Sequence, residues 1–231
     1  MSKTVEKNYQ KTQSDRICPY CRKMLETPPQ RKKKCPLCGN YILVRTHPDT
    51  GHRILATEKE ATQINGIWNT RREKKEWMDN LEMFGVAEQD YKRHRAKLTN
   101  EWGRKPGERD VFWRILNELV ANYGGFQDKA QIYGLMVSFL REEGKDFSAA
   151  LEQHHRMILL DMKQSNCTKV KIRSSGKLPG IGCDACEALN GKVYTIEQAL
   201  LEMPLPCKDC TSTIDGRKGY CRCFYQAVED S

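Results

Sequence analysis

Eight of the eleven cysteines stand in four Cys-x-x-Cys pairs, and this spacing constrains the chain more than any hydrophobic pattern. Cys18 and Cys21 face Cys35 and Cys38 across thirteen residues, and Cys183 and Cys186 face Cys207 and Cys210 across twenty. Cys221 and Cys223 follow just beyond. A Cys-x-x-Cys turn aims two sulfurs at one point, and two such turns complete the tetrahedral shell of a zinc ion. Each doublet therefore predicts a small module closed around metal. The four-thiolate rule gives about two zinc ions per chain.

The N-terminal set is the simpler. Cys18, Cys21, Cys35 and Cys38 have no competing histidine at ligand spacing. Pro19 and Pro36 stiffen the two turns, and Gly39 falls where a positive φ is needed. Four thiolates leave no open position for water, which makes the site structural and not hydrolytic. After Cys38, GNYILVRT reads as a strand, His47 to Gly51 as a turn, and HRIL as a short return strand. Two knuckles and a hairpin around one ion have the shape of a zinc ribbon.

Charge separates this module from the rest. The chain of 231 residues carries +9. Residues 1–55 hold twelve Lys or Arg against four Asp or Glu, a balance of +8, which leaves +1 for residues 56–231. Arg31, Lys32, Lys33 and Lys34 abut the second knuckle, and Arg45 lies in the following strand. These five residues are the candidate contacts for a phosphate backbone. No apolar run approaches the roughly 18 residues of a membrane span. The first twenty residues lack the apolar core of a signal peptide, so a cytoplasmic location is expected, where paired cysteines favour metal over disulfides.

The fold class expected is α+β, in three parts. Residues 1–55 form a basic tail and the ribbon, residues 56–166 an all-α domain of four to five helices, and residues 167–231 a second cysteine-rich zinc module. Thr57 with Glu60 makes a capping box that opens a long helix, with Gly85 as its stop. Further helices are predicted over about 87–102, after a cap at Asp110, near 127–143, and over 147–164 with Asp146 as cap. Trp68, Trp77, Trp102 and Trp113 recur in this region. Beside Arg71, Arg72, Lys74 and Lys75, Trp68 and Trp77 offer a stacking surface, although core packing is the stronger reading of such aromatics. CTKVKIR reads as a strand, SSGKLPGIG as a linker, Thr195 as the cap of a short helix ended by Pro204 and Pro206, and CRCFYQAV as a returning strand.

The rear module has a surplus of sulfur. Cys183, Cys186, Cys207 and Cys210 give the most regular ligand set, with Cys221 and Cys223 as alternates. The run CDACEALNGKVY, then PLPCKDC, then GYCRC, resembles the C-terminal cysteine motif of the phage minor head, or head-morphogenesis, family. Cys183, Cys186, Gly191, Lys192, Cys207 and Cys210 match that motif, with Cys207 where the family often has His. An insertion-like stretch, TSTIDGRKGYC, departs from it. The resemblance spans about 45 residues and implies an assembly-related module of phage or prophage origin.

No catalytic constellation is assembled from local motifs. His154 and His155 are adjacent on a predicted helix and point about 100° apart, so they do not share a metal-binding face. His47 and His52 flank the hairpin turn. Glu142, Glu143 and Asp128 lack a partner at catalytic spacing, and Gly124-Gly125 lacks the pattern of a phosphate loop. The leading expectation is a non-enzymatic zinc-binding protein that contacts nucleic acid through its basic ribbon. The alternatives are a phage head-assembly protein that binds capsid or portal partners, and an enzyme whose site is built from distant residues.

Overall fold

The computed structural model describes residues 16–174, 183–214 and 217–228. The polar segment 1–15, most of the SSGKLPGIG linker and the Asp215-Gly216 part of TSTIDGRKGYC lie outside the described residues. The chain is mixed helix and small sheet, with seven helices among those residues. It divides into two compact units, residues 1–87 and 88–231, whereas the sequence places its boundaries after 55 and 166.

The first unit joins the cysteine module to the first long helix. Strands β1 (Lys33–Lys34), β2 (Tyr41–Thr46) and β3 (Arg53–Ala56) form an antiparallel sheet in that order. The turn between β2 and β3 is closed by His47 N–H on the His52 carbonyl at 2.8 Å. Helix α1 (Glu58–Glu82) opens on the predicted box. Thr57 Oγ1 accepts from Glu60 N–H at 3.2 Å, and the Glu60 carboxylate accepts from Thr57 N–H at 2.8 Å. Its first turns pack Ala61 and Ile64 against Ala56, Leu43 and Ile54. The helix ends where Gly85 takes φ +72°. There Val86 N–H bonds the Leu81 carbonyl and Gly85 N–H that of Glu82, a Schellman closure.

The second unit begins with α2 (Glu88–Trp102), α3 (Glu108–Asn122), α4 (Phe126–Glu142) and α5 (Ser148–Gln164). Asp110 is not the cap of α3 but lies within its first turn, where its carboxylate accepts from Gly107 N–H at 2.8 Å. Proline and glycine ahead of the helix start it three residues earlier than the apolar pattern indicates. Asp146 does accept from Ser148 N–H at the start of α5, at 3.0 Å. Strand β4 (Lys169–Arg173) is the centre of a second antiparallel sheet, flanked by β5 (Val193–Thr195) and β8 (Phe224–Ala227). Between them run α6 (Asp184–Leu189) and α7 (Ile196–Glu202), then a small hairpin of β6 (Thr213–Ile214) and β7 (Arg217–Lys218). Thr195 caps α7, as predicted, and the structure adds Gln198 as its capping-box partner. Leu159 of α5, Val170 and Ile172 of β4, Ile196 and Ala199 of α7, and Leu205 form one core with Cys186, Cys207, Cys221 and Cys223.

The tryptophans divide. Trp77 is buried and Trp113 stacks on Phe139 at 5.5 Å, but Trp68 and Trp102 are each more than 40% exposed. Trp68 is held at the surface by its Nε1–H on the Thr46 carbonyl, 3.0 Å away. Arg71 lies over its ring at 5.7 Å and is itself paired with Asp49.

Candidate metal centres and a basic strand

The sulfurs of Cys18, Cys21, Cys35 and Cys38 all lie within 4.8 Å of one another. Two knuckles of matching backbone bring them there. In the first, Arg22 N–H bonds the Cys18 carbonyl at 3.0 Å and Cys18 N–H bonds that of Lys23. In the second, Gly39 N–H bonds the Cys35 carbonyl at 2.9 Å and Cys35 N–H bonds that of Asn40. The residue four positions after the first cysteine is left-handed in both, Arg22 at φ +59° and Gly39 at φ +77°. Glycine meets this demand freely, whereas arginine adopts it at a cost of about 1 kcal/mol.

Burial pushes the Cys18 thiol up to about 11. Burial also opposes ionisation of Cys35, but the N–H groups of Leu37 and Cys38, with the neighbouring sulfurs, outweigh it and bring that thiol down to about 7. One thiolate thus forms readily among these sulfurs, and a bound cation would draw the protons from the rest. The set could hold a metal ion, and as four thiolates it fits a closed tetrahedral shell.

Directly before Cys35, Arg31, Lys32, Lys33 and Lys34 are all exposed. Lys33 and Lys34 form β1, an element the sequence reading does not anticipate, paired with Ile42 and Tyr41. Lys32 Nζ lies 4.8 Å from the centre of the exposed Tyr41 ring. No carboxylate among the described residues pairs with any of the four. On α1, by contrast, Arg71 pairs with Asp49, Arg72 with Glu76 and Lys75 with Asp79. Arg45 is placed differently from the other candidates. It is half-buried, with Nε on Asn65 Oδ1 at 3.1 Å and another guanidinium nitrogen on the Val44 carbonyl, so it ties β2 to α1.

The rear cysteines gather into two overlapping groups. Cys183, Cys186 and Cys210 form one, and Cys186, Cys221 and Cys223 the other, each with sulfurs within 4.8 Å of one another. Cys207, expected among the principal ligands, belongs to neither group. It is buried, and its sulfur interacts with that of Cys186. Cys221 and Cys223, the expected alternates, are instead full members of a group. Cys183 is the N-cap of α6, and its sulfur accepts from Cys186 N–H at 3.4 Å in the place a Ser or Asp oxygen usually takes. The N–H groups of Thr211 and Cys186, with two neighbouring sulfurs, bring Cys183 down to about 7 against the effect of burial. The Cys223 side chain, opposed by burial and aided by the N–H groups of Cys207 and Cys223, brings Cys221 down to about 6. Burial raises Cys186 and Cys207. The eleventh cysteine, Cys167, donates to the Lys169 carbonyl and joins no cluster among the described residues.

The histidines have structural settings. His47 Nδ1 accepts from the N–H groups of Asp49 and Thr50 and so shapes the β2–β3 turn. His154 Nδ1 lies 2.7 Å from the Ala130 carbonyl, which fixes the proton on that nitrogen. His155 is buried, and neither of its ring nitrogens has a hydrogen-bond partner. An open groove of about 660 Å³ is lined by Arg173, Ser174, Glu187 and Phe224, among others. Its polar groups bond one another, Arg173 to Gln226 and Ser174 to Glu187.

Comparison with protein-family models, curated proteins and solved structures finds no match to this chain. No described helix is long and apolar enough to cross a membrane.

Proposed function

We propose that the chain is a non-enzymatic zinc protein whose first unit carries a zinc ribbon that binds nucleic acid. The observation that supports this most is the cationic run from Arg31 to Lys34, which leads into β1, four exposed charges with no carboxylate partner among the described residues, beside a four-sulfur centre. Uncompensated cations on a rigid element suit a phosphate backbone, which binds through counterion release without reading bases. Tyr41, exposed beneath Lys32, adds a face on which a base can stack. Arg45 acts in this reading as a brace for β2 and not as a contact.

The test is binding of a fluorescent single-stranded or duplex oligonucleotide as a function of salt. Each phosphate contact contributes a slope of about −0.7 to −0.9 in log K against log salt, so four contacts give about −3. Changing Lys32, Lys33 and Lys34 together to Glu should remove most of the affinity while metal content stays constant. Unchanged affinity in that variant would place the contact elsewhere.

A second reading is an assembly role in a phage or prophage head. It is favoured by the resemblance of residues 183–223 to the minor head motif, including the Gly191 turn, which takes φ +81° just before β5. Co-purification with a portal or capsid protein, without oligonucleotide affinity, would favour this reading over the first.

A further inference from the structure

We propose that the outer face of the β5–β4–β8 sheet is a second nucleic-acid surface, which takes a single strand along β4. It lies in the second unit and does not rest on binding by the ribbon.

Strand β4 alternates strictly. Val170 and Ile172 are fully buried in the core, so Lys169, Lys171 and Arg173 stand on the opposite face, the first and last exposed and Lys171 half-buried. Pairing extends this face onto both neighbours, because directly opposed residues of antiparallel strands share a side. Lys171 lies between Val193 of β5 and Gln226 of β8, Lys169 is opposite Thr195, and Arg173 is opposite Phe224. Val193 and Phe224 are each 51% exposed, while the residues that follow them, Tyr194 and Tyr225, pack into the core.

The open face of an antiparallel sheet is ordinarily a mixed polar surface, but this one concentrates charge of one sign. None of its residues is acidic, and residues 56–231 as a whole carry only +1. Among the described residues, neither Lys171 nor Arg173 is paired with a carboxylate. Arg173 Nε–H bonds the Gln226 side-chain oxygen at 2.6 Å. That bond fixes the guanidinium and leaves its two terminal nitrogens for an anion.

Spacing and the aromatic ring select the partner. Alternate residues of a strand stand about 6.6 to 6.8 Å apart, so the three cations form an even row of single charges. The phosphates of an extended single strand form such a row as well. Phe224 stands at the end of the row, across from Arg173, where a base can lie on its ring. Together with Arg173 and Gln226 it lines the open groove of about 660 Å³, which gives that base room. A duplex keeps its bases inside the stack and offers Phe224 nothing. An inorganic polyanion would satisfy the cations and leave the ring bare.

The test uses the full, metal-loaded chain and a fluorescent oligothymidylate, read by anisotropy over a range of salt. Lys171→Gln with Arg173→Gln should flatten the slope of log K against log salt by about 1.4, two contacts at about 0.7 each on a single strand. Phe224→Ala should weaken binding about 5- to 150-fold and leave that slope unchanged, the mark of a lost stacking contact and not of a lost charge. Phe224→Leu, which keeps the apolar bulk and removes the ring, should show the same kind of loss. Metal content and urea unfolding should match wild type, since all three side chains lie off the core. Wild-type affinity and slope in these variants would overturn the proposal and leave the ribbon reading standing. Losses here, with full binding by the Lys32→Glu, Lys33→Glu, Lys34→Glu variant, would keep the rear face and sink the ribbon. No binding by the wild type would overturn both. A duplex of the same length, or inorganic polyphosphate, bound as tightly as the single strand would overturn the choice of partner.

Discussion

Replacing His155 with leucine should make the protein less sensitive to acid, and the structure gives the size of the effect. The imidazole on α5 is only 3% exposed. It meets the ring of Tyr225 edge-on at 5.9 Å and that of His154 at 5.2 Å, and both of its nitrogens are without partners. Burial first, and then the neighbouring His154, push its pKa from 6.5 down to about 3. The folded chain therefore keeps this ring neutral where the unfolded chain would protonate it. The contribution to stability is complete above pH 6.5 and is lost as the pH falls from 6.5 towards 3. The slope is about 1.4 kcal/mol per pH unit, so lowering the pH to about 5 costs the wild type about 2 kcal/mol through this residue. Leucine does not titrate, fills a similar volume and removes two unsatisfied polar atoms. His155→Leu should thus be neutral or stabilising by about 1 kcal/mol at pH 8. Urea unfolding of wild type and variant, both metal-loaded, at about pH 8 and about pH 5 gives the double difference. Acid also protonates the metal-binding thiolates, but it does so in both proteins and cancels. A wild type and variant with the same pH dependence would refute the argument. So would a His155 imidazole resonance that titrates near 6.5, because that requires a ring open to water or to a bonding partner.

Two further substitutions probe single bonds. Thr57→Ala removes the side chain that caps α1 and should cost about 1 kcal/mol, read as faster amide exchange in the first helical turn; unchanged exchange there would mean that packing of Ala61 and Ile64 alone holds the helix start. Tyr225→Phe deletes the hydroxyl that accepts from the fully buried Leu205 N–H at 3.2 Å. It should cost about 1 to 3 kcal/mol in denaturant unfolding without loss of metal, and a cost near zero would show that water reaches that amide.

Much of the fold is legible in the sequence wherever local chemistry decides it. Thr57 with Glu60 and Thr195 with Gln198 announce their helices because each box is complete within four residues. Gly85 announces a stop because a left-handed residue is needed there. What is not legible depends on what comes to lie alongside. The lysines of β1 become strand only by pairing with Tyr41 and Ile42, far weaker as a local signal than as a tertiary one. Trp68 recurs at helical spacing, yet the middle of α1 has few buried residues, since Ala61 and Ile64 pack near one end and Trp77 and Leu81 near the other. At the rear, Cys-x-x-Cys spacing names pairs but not how pairs combine. The path from Thr211 to Cys223 brings the CRC sulfurs onto Cys186, and no spacing rule encodes that path.

The two cysteine clusters stand in different relations to their cores, and this bears on what metal does in each. Behind, the sulfurs share a core with Leu159, Val170, Ile172, Ile196 and Leu205, so apolar burial there exists apart from any ion. In front, the buried cluster is Cys18, Cys35, Leu25 and Ile42, with Cys21, Cys38 and Leu55 against it. Three aliphatic side chains contribute only about 5 to 8 kcal/mol of burial, too little to order two knuckles against chain entropy. A bound metal ion would supply what the missing core does not. It would also change the charge. Four protonated thiols are neutral, whereas four thiolates around a divalent cation carry −2 next to Arg31 through Lys34. That anionic centre would relieve the mutual repulsion of four adjacent cations without covering them, as a surface carboxylate would. Under the proposed function, metal and basic segment would then be one device, in which the ion that closes the fold also steadies a cationic edge and leaves it free for phosphate.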